Sequence, residues 1–280
     1  MAVTTGCSAL RIGYGTAPDL VYWWLDRYVD FNGDQTARVR QAIRQWFVWH
    51  RRTQVPDYAA QLVRAQAEAL AETTPARVCE WQAEGYKRAR IAFEHVAPAA
   101  AELMLTITPE QIRHLDQRYA KYNAEFRDDY LQPDLAKRAD ETRKRAVDRA
   151  EMLYGRLGDA QRARISESLT RSPFDPELWL AERRARQQDA LQTLRRTSAP
   201  GSTREQALAA LRGYVERLQQ SPRESYRRYT ERLTEFNCAT AADLHNVTTP
   251  AQRRTAAQKL AGWEGDLRAI AGAADPSAAE

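Results

Sequence analysis

At 280 residues, 43% hydrophobic and 28% charged, the chain has material for one large or two small globular domains, not for a disordered acidic tail, a collagen repeat or a disulfide-dense miniprotein. Its 12 glycines and 12 prolines leave few turns for a many-stranded sandwich, and no window approaches the roughly 18 consecutive apolar residues of a membrane helix. The net charge of +5 comes from 42 Lys and Arg against 37 Asp and Glu, and the densest run, Lys137 to Glu151, interleaves both signs as a solvated helix face does, so no nucleic-acid footprint is expected.

Residues 1–16 read as an N-terminal tether carrying Cys7, residues 17–271 as one helical domain, and residues 272–280 as a frayed tail. Helical spans are expected at 17–30, 34–53, 56–72, 75–97, 109–131, 134–156, 159–171, 176–197, 203–220, 222–238 and 250–271. The warrant is a 3.6-residue rhythm of apolar side chains. Val39, Ile43, Trp46, Phe47 and His50 share one face, as do Ile112, Leu115, Tyr119, Tyr122 and Phe126. The rhythm returns in Leu208, Leu211, Val215 and Leu218, in Tyr226, Tyr229, Leu233 and Phe236, and in Ala256, Leu260, Trp263, Leu267 and Ile270. No alternating run with hairpin chemistry competes. The expected fold is therefore all-α, a bundle of about ten amphipathic helices, with a lobe boundary near residues 197–203.

Helix starts are legible because a cap oxygen and a Glu or Gln three residues later satisfy each other's amides. Thr108-Pro109-Glu110-Gln111 is the cleanest, with Pro109 at the first helical position and Ile107 set to pack on Ile112. Looser versions start at Asn32, Gly158, Thr203 and Thr249, and Thr74-Pro75 keeps the cap without the Gln. Pro56, Pro98, Pro133, Pro173 with Pro176, Pro200-Gly201 and Pro222 mark stops or new starts.

Three cysteines stand at 7, 79 and 238. Gly6-Cys7 is the pair between which a bacterial lipoprotein signal is cut. Only six residues precede Cys7, too few for the apolar stretch of such a signal, so on the residues alone Cys7 is either the acylation site of a trimmed chain or an ordinary terminal thiol. Cys79 and Cys238 are either a disulfide or two separately buried thiols, and nothing in the sequence brings them together, which favours separate thiols.

Several segments resemble an uncharacterised family of proteobacterial lipoproteins classed as a domain of unknown function. They are Ala9 to Tyr14, Leu20 to Asp26 with Tyr28-Val29-Asp30, Trp46-Phe47 with Trp49-His50-Arg51, Pro56-Asp57-Tyr58, Thr108 to Gln111, Glu125-Phe126 with Tyr130-Leu131, Gly158 to Gln161, Glu177-Leu178-Trp179 and Thr249 to Gln252. The resemblance implies an all-helical periplasmic protein, acylated and hence membrane-anchored through Cys7. Ser8 in place of Asp implies sorting to the outer membrane. It brings no catalytic residue. Acylation of Cys7 would place Cys79 and Cys238 in an oxidising compartment, where a disulfide can persist, with two separately buried thiols still the favoured reading. The Thr-Pro-x-Gln starts also resemble the Leu-Thr-x-x-Gln motif of Spy-type periplasmic chaperones, with Ile107 where that family has Leu.

Chemistry is sparse. His50, His95, His114 and His245 never fall in a His-x-x-x-His arrangement, so no metal and no other cofactor is expected. There is no Gly-rich phosphate loop and no Gly-x-Ser-x-Gly elbow. Asp26 and Asp30, four apart beside Trp23, Trp24 and Tyr28, are the nearest to a general acid and base pair, but pairing with arginines is the simpler role. The stripe Val21, Trp24, Leu25 and Tyr28 suits a membrane-interface anchor or, more simply, core packing. Trp23, Trp24, Asp26, Asp30, Trp46, Trp49 and His50 form the candidate interaction surface. The expected function is non-catalytic binding or scaffolding of a periplasmic protein partner, without nucleic acid. A chaperone shielding client chains and an enzyme with a dispersed acid site are the alternatives.

Overall fold

The computed structural model describes residues 9–273. Among them the chain forms ten α-helices and no strand, as the hydrophobic rhythm requires. In chain order these are α1 (Ala9–Val29), α2 (Gly33–Glu68), α3 (Pro75–Met104), α4 (Pro109–Tyr130), α5 (Leu135–Tyr154), α6 (Asp159–Arg171), α7 (Pro176–Thr197), α8 (Arg204–Gln219), α9 (Glu224–Asn246) and α10 (Pro250–Gly272).

The caps form where the sequence places them. At α4 the Gln111 amide donates to Thr108 Oγ1 at 3.2 Å and the Thr108 amide donates to Gln111 Oε1 at 3.0 Å. The same reciprocal pair closes the starts at Asn32, Thr203 and Thr249. Gly158 has no side chain, so α6 keeps only half of the box, the Gly158 amide donating to Gln161 Oε1 at 2.9 Å. Two of these glutamines do more than cap. Gln111 Nε2 donates to the Asp30 carbonyl at 2.9 Å and Gln161 Nε2 to the Val247 carbonyl at 3.0 Å. Each helix start is thus pinned to a carbonyl just beyond the end of another helix, where intrahelical donors have run out. The amides can be buried, Gln111 at 6% and Gln161 at 8% exposure, because the oxygen and the nitrogen of each are both engaged.

Prolines interrupt less than the sequence suggests. Pro56 lies inside α2 and Pro98 inside α3, so the expected helices 34–53 and 56–72 are one rod. Pro56 removes one helical hydrogen bond, but Val55 and Ala59 on either side are buried, and that packing holds the helix through it. α1 likewise runs through Pro18 and begins at Ala9, so residues 9–16 of the expected tether are helical. Cys7 lies outside the described residues.

The chain divides into two compact units. Unit 1 contains the described residues 9–27, 32–71 and 249–273, that is α1, α2 and α10. α10 packs along α2, and small side chains at Ala59 and Ala256, both buried, suit a close approach of helix backbones. Arg11 of α1 pairs with Asp266 of α10 at 3.5 Å. Unit 2 comprises Tyr28–Phe31 and Glu72–Thr248. Within it α3 lies against α8 and α9, α4 against α7, α7 against α8, α5 against α6, and α6 against α9. One core gathers Ile107, Ile112, Leu115 and Leu191 with Tyr28, Val29 and Tyr119, and so realises the expected Ile107–Ile112 staple. Another gathers Val147, Leu157 and Ile165. Thr197 to Thr203 does not separate lobes. It is the turn between α7 and α8 inside unit 2, with Thr197 buried and Gly201 at φ 86°.

Asp30 follows the last residue of α1 with φ 58°, a left-handed conformation that a Cβ makes costly. Asp30→Gly removes that cost and is expected to raise the stability of the protein by about 0.5 to 1 kcal/mol, read as a higher urea midpoint with an unchanged slope.

Candidate functional site

The residues singled out from the sequence separate into three environments. Trp46, Trp49 and His50 belong to an aromatic cluster between α1 and α2 in unit 1. The Trp46 ring stacks on His50 at 4.5 Å, Phe47 meets Trp46 edge-on at 5.1 Å, and Tyr58 meets His50 at 5.4 Å. From α1, Tyr14 places its hydroxyl 2.9 Å from His50 Nδ1 and packs edge-on against Phe47. Tyr14 is a member that the sequence rhythm does not mark, because Gly13 and Gly15 beside it obscure the helix.

Burial dominates the chemistry of this cluster. It pushes the Tyr14 phenol up to about 12, against the opposing pull of the Arg51 cation, and it lowers His50 below its ordinary value of 6.5. His50 is therefore neutral at pH 7 and is bound as a packing and hydrogen-bonding group, with Arg51 and Tyr58 the other titratable groups of the cluster. Its folded value lies below the unfolded one, so its contribution to stability is present above about pH 6.5 and is lost as the pH falls through the folded value. Tyr14→Phe, which removes the hydroxyl and keeps the ring, is expected to cost about 1 kcal/mol. His50→Phe is expected to flatten the fall in stability between pH 7 and pH 5, as read by thermal unfolding across that range.

Asp26 and Asp30 do not form a pair on one helix face. α1 ends at Val29, and Asp30 leaves it in the left-handed conformation, exposed, with its carbonyl held by Gln111. The four-residue spacing is broken by the helix end between them.

Trp23 and Trp24 are 60% and 58% exposed, and Ile12 and Leu20 are 57% and 53% exposed. At 3.6 residues per turn these four share an arc of roughly 120° with Ala9, Gly13, Thr16 and Arg27, and all eight positions are exposed. The stripe Val21, Trp24, Leu25 and Tyr28 is thus split: Val21 and Trp24 are exposed, Leu25 is half-buried, and Tyr28 packs against the core of Ile107, Ile112, Leu115 and Leu191. α1 instead turns Tyr14, Tyr22 and Leu25 inward. Tyr22 is buried, hydrogen-bonded to Thr36 at 3.1 Å and covered by the Arg40 guanidinium at 3.7 Å from its ring centre. Arg40 in turn reaches Asp19 at 3.1 Å. Tyrosines with satisfied hydroxyls fill the inner side, and the tryptophans are left outside. This outward apolar face is the candidate interaction site in unit 1.

In unit 2 the most deeply buried titratable groups meet internal partners. Cys79 of α3 and Cys238 of α9 form a disulfide with Cα atoms 5.5 Å apart, where separate thiols are the simpler reading of the sequence. Long-range packing of α3 on α9 brings together residues 159 positions apart. Tyr154 Oη lies 2.8 Å from His245 Nδ1. Glu182 of α7, 3% exposed, accepts from Arg186 Nε at 2.8 Å and from Arg223 Nε at 2.6 Å. Asp243 pairs with the Arg164 guanidinium, which holds its carboxyl below the ordinary value. Asn123 and Gln187 exchange amide hydrogen bonds at 2.8 and 3.2 Å in the interior.

Among the described residues there is no group of three or more His, Cys, Asp or Glu placed to hold a metal, and no helix long and apolar enough to cross a membrane. An open cleft of about 400 Å³ in unit 2 is lined by Ile107, Pro109, Ile112, Arg113, Arg195 and Pro200, among others. No curated protein and no solved structure matches the chain. A family model does match, over residues 27–227, well over half of the sequence, and it covers all of α2 to α8. On that match the chain belongs to the Family of unknown function (DUF6279).

Proposed function

We propose that this protein is a non-catalytic helical binding or scaffold protein, held at the periplasmic face of the bacterial outer membrane by an acyl chain on Cys7. The observation that carries the reading is the Cys79–Cys238 disulfide, since such bridges persist in oxidising compartments and are rare in a reducing cytosol. Gly6-Cys7-Ser8 supplies the sequence expected at a lipoprotein cleavage site, with a serine that favours the outer membrane. A binding role is supported by how the titratable groups are used. His50, His245, Glu182 and Asp243 each hold a neighbouring side chain in place, while helix faces such as that of α1 are turned outward.

The test is the processing and location of the native product. Globomycin is expected to cause a longer precursor to accumulate, mass spectrometry of the N-terminal peptide to show an acylated Cys7, and fractionation to place the protein in the outer membrane. An unacylated product in the cytoplasm overturns the reading, and so does a turnover that depends on Asp26 or Asp30.

A further inference from the structure

We propose that the outward face of α1 is a membrane-interface surface, seating Ile12, Leu20, Trp23 and Trp24 among the headgroups of a phospholipid bilayer with the helix axis parallel to it. The inference deepens the membrane-tether reading and rests on it for the position of the anchor, but it adds the surface of the folded chain that the bilayer covers.

Three observations converge on lipid as the occupant. The first is the kind of side chain exposed. Two adjacent tryptophans, each more than half exposed, combine a flat apolar body with one N–H donor, the combination favoured at headgroup depth. With Ile12 and Leu20 they leave on the order of 400 Å² of apolar side chain exposed along the arc, a size at which a surface patch is often functional.

The second is charge. Arg27 is the one charged residue on the arc. Asp19, which is held by Arg40, and Asp26 fall beyond its edge by helical geometry, so the arc itself carries no carboxylate against anionic lipid. The face also offers few hydrogen-bonding groups to a protein partner, and a bilayer interface needs few.

The third is reach. Cys7 stands two residues before Ala9, the first residue of α1, and two residues span at most about 7 Å. An acyl chain on Cys7 therefore holds the first turn of α1 at the headgroups. From there 21 residues of helix extend about 32 Å, and Ile12 to Trp24 span about 18 Å of it.

The experiment uses the full chain with Cys7→Ser, which removes the acylation site, and vesicles of phosphatidylethanolamine and phosphatidylglycerol. Co-sedimentation is expected to give measurable partitioning that falls at least 10-fold in the Trp23→Ser, Trp24→Ser variant, with circular dichroism unchanged. Brominated lipids are expected to quench the tryptophan emission of the parent chain, and the quenching is expected to fall sharply in a Trp23→Phe, Trp24→Phe variant, which keeps the apolar body and removes the two emitters. Equal partitioning of parent and Ser variant overturns the proposal, as does unquenched emission. Concentration-dependent self-association in sedimentation velocity, lost in the same variant, also overturns it, assigning the face to a second copy of the chain. The two readings fail separately. Acylated native protein whose Trp23 and Trp24 stay unquenched on vesicles removes the α1 face and leaves the tether, whereas an unacylated native protein whose Cys7→Ser form still binds through Trp23 and Trp24 removes the tether and leaves the face.

Discussion

Replacing Cys79 and Cys238 together by alanine is expected to lower the unfolding free energy by about 2 to 5 kcal/mol. The bridge joins α3 to α9 across 159 positions, so it closes a loop containing almost all of unit 2. A cross-link of this span removes a large share of the conformations open to the unfolded chain, and loop-closure entropy grows with length, though slowly. Cys238 is buried at 2% exposure, so alanine also leaves a small void where the sulfur packs. Urea unfolding with and without dithiothreitol reads the effect directly. The reduced protein is expected to unfold at a lower midpoint, the double alanine variant to match it, and dithiothreitol to leave that variant unmoved. A parent midpoint insensitive to reduction means the bridge is not formed. Thiol counting on the unreduced chain is then expected to find two reactive groups besides Cys7.

That bridge also marks where local sequence signals end. The caps at Asn32, Thr108, Thr203 and Thr249 are legible because each is completed within four residues by its own Gln. The buried faces of α4 and α9 follow from spacing, and Ile112, Leu115, Phe126, Tyr226 and Tyr229 are buried. Tertiary contacts decide the remainder. Pro56 does not end α2, because α10 packs along the rod and the side chains flanking the proline are buried. α9 continues to Asn246, beyond the expected end at 238, carrying Ala242 and His245 into the interior. α1 is the clearest case in the candidate site, since it has apolar or aromatic residues on both sides and periodicity alone cannot say which side faces in. The choice is made by Thr36 and Arg40 on α2, which give the Tyr22 hydroxyl and ring their partners. The two tryptophans of the candidate surface are thus named by the sequence, while their exposure depends on a contact 14 positions away from Tyr22.

Glu182→Ala is expected to destabilise the protein by about 2 to 3 kcal/mol, because Glu182 is the most deeply buried carboxylate among the described residues. Both of its oxygens are engaged, one by Arg186 a turn later on α7 and the other by Arg223 at the start of α9. Burial by itself raises the pKa of this group. Hydrogen bonds from Arg223, Arg186 and Ser221, with the charge of Arg223, outweigh it and hold the carboxyl below its ordinary value of 4.5. The alanine variant leaves two guanidinium groups around a void. Their side chains are 31% and 45% exposed and can turn to water, which keeps the penalty under the roughly 3 to 5 kcal/mol typical of breaking a fully enclosed pair. Glu182→Gln keeps the volume and loses the charge, and roughly half the effect is expected. Because the folded value lies below the unfolded one, the stabilisation from Glu182 is present above about pH 4.5 and is lost as the pH falls through the folded value. Parent and Gln variant are therefore expected to differ most at pH 7 and to converge toward pH 3. A double-mutant cycle with Arg223→Gln isolates the pair. A coupling near zero at pH 7 means that Arg186 alone satisfies the carboxylate, and that α7 is held to the start of α9 by packing around Tyr226 instead.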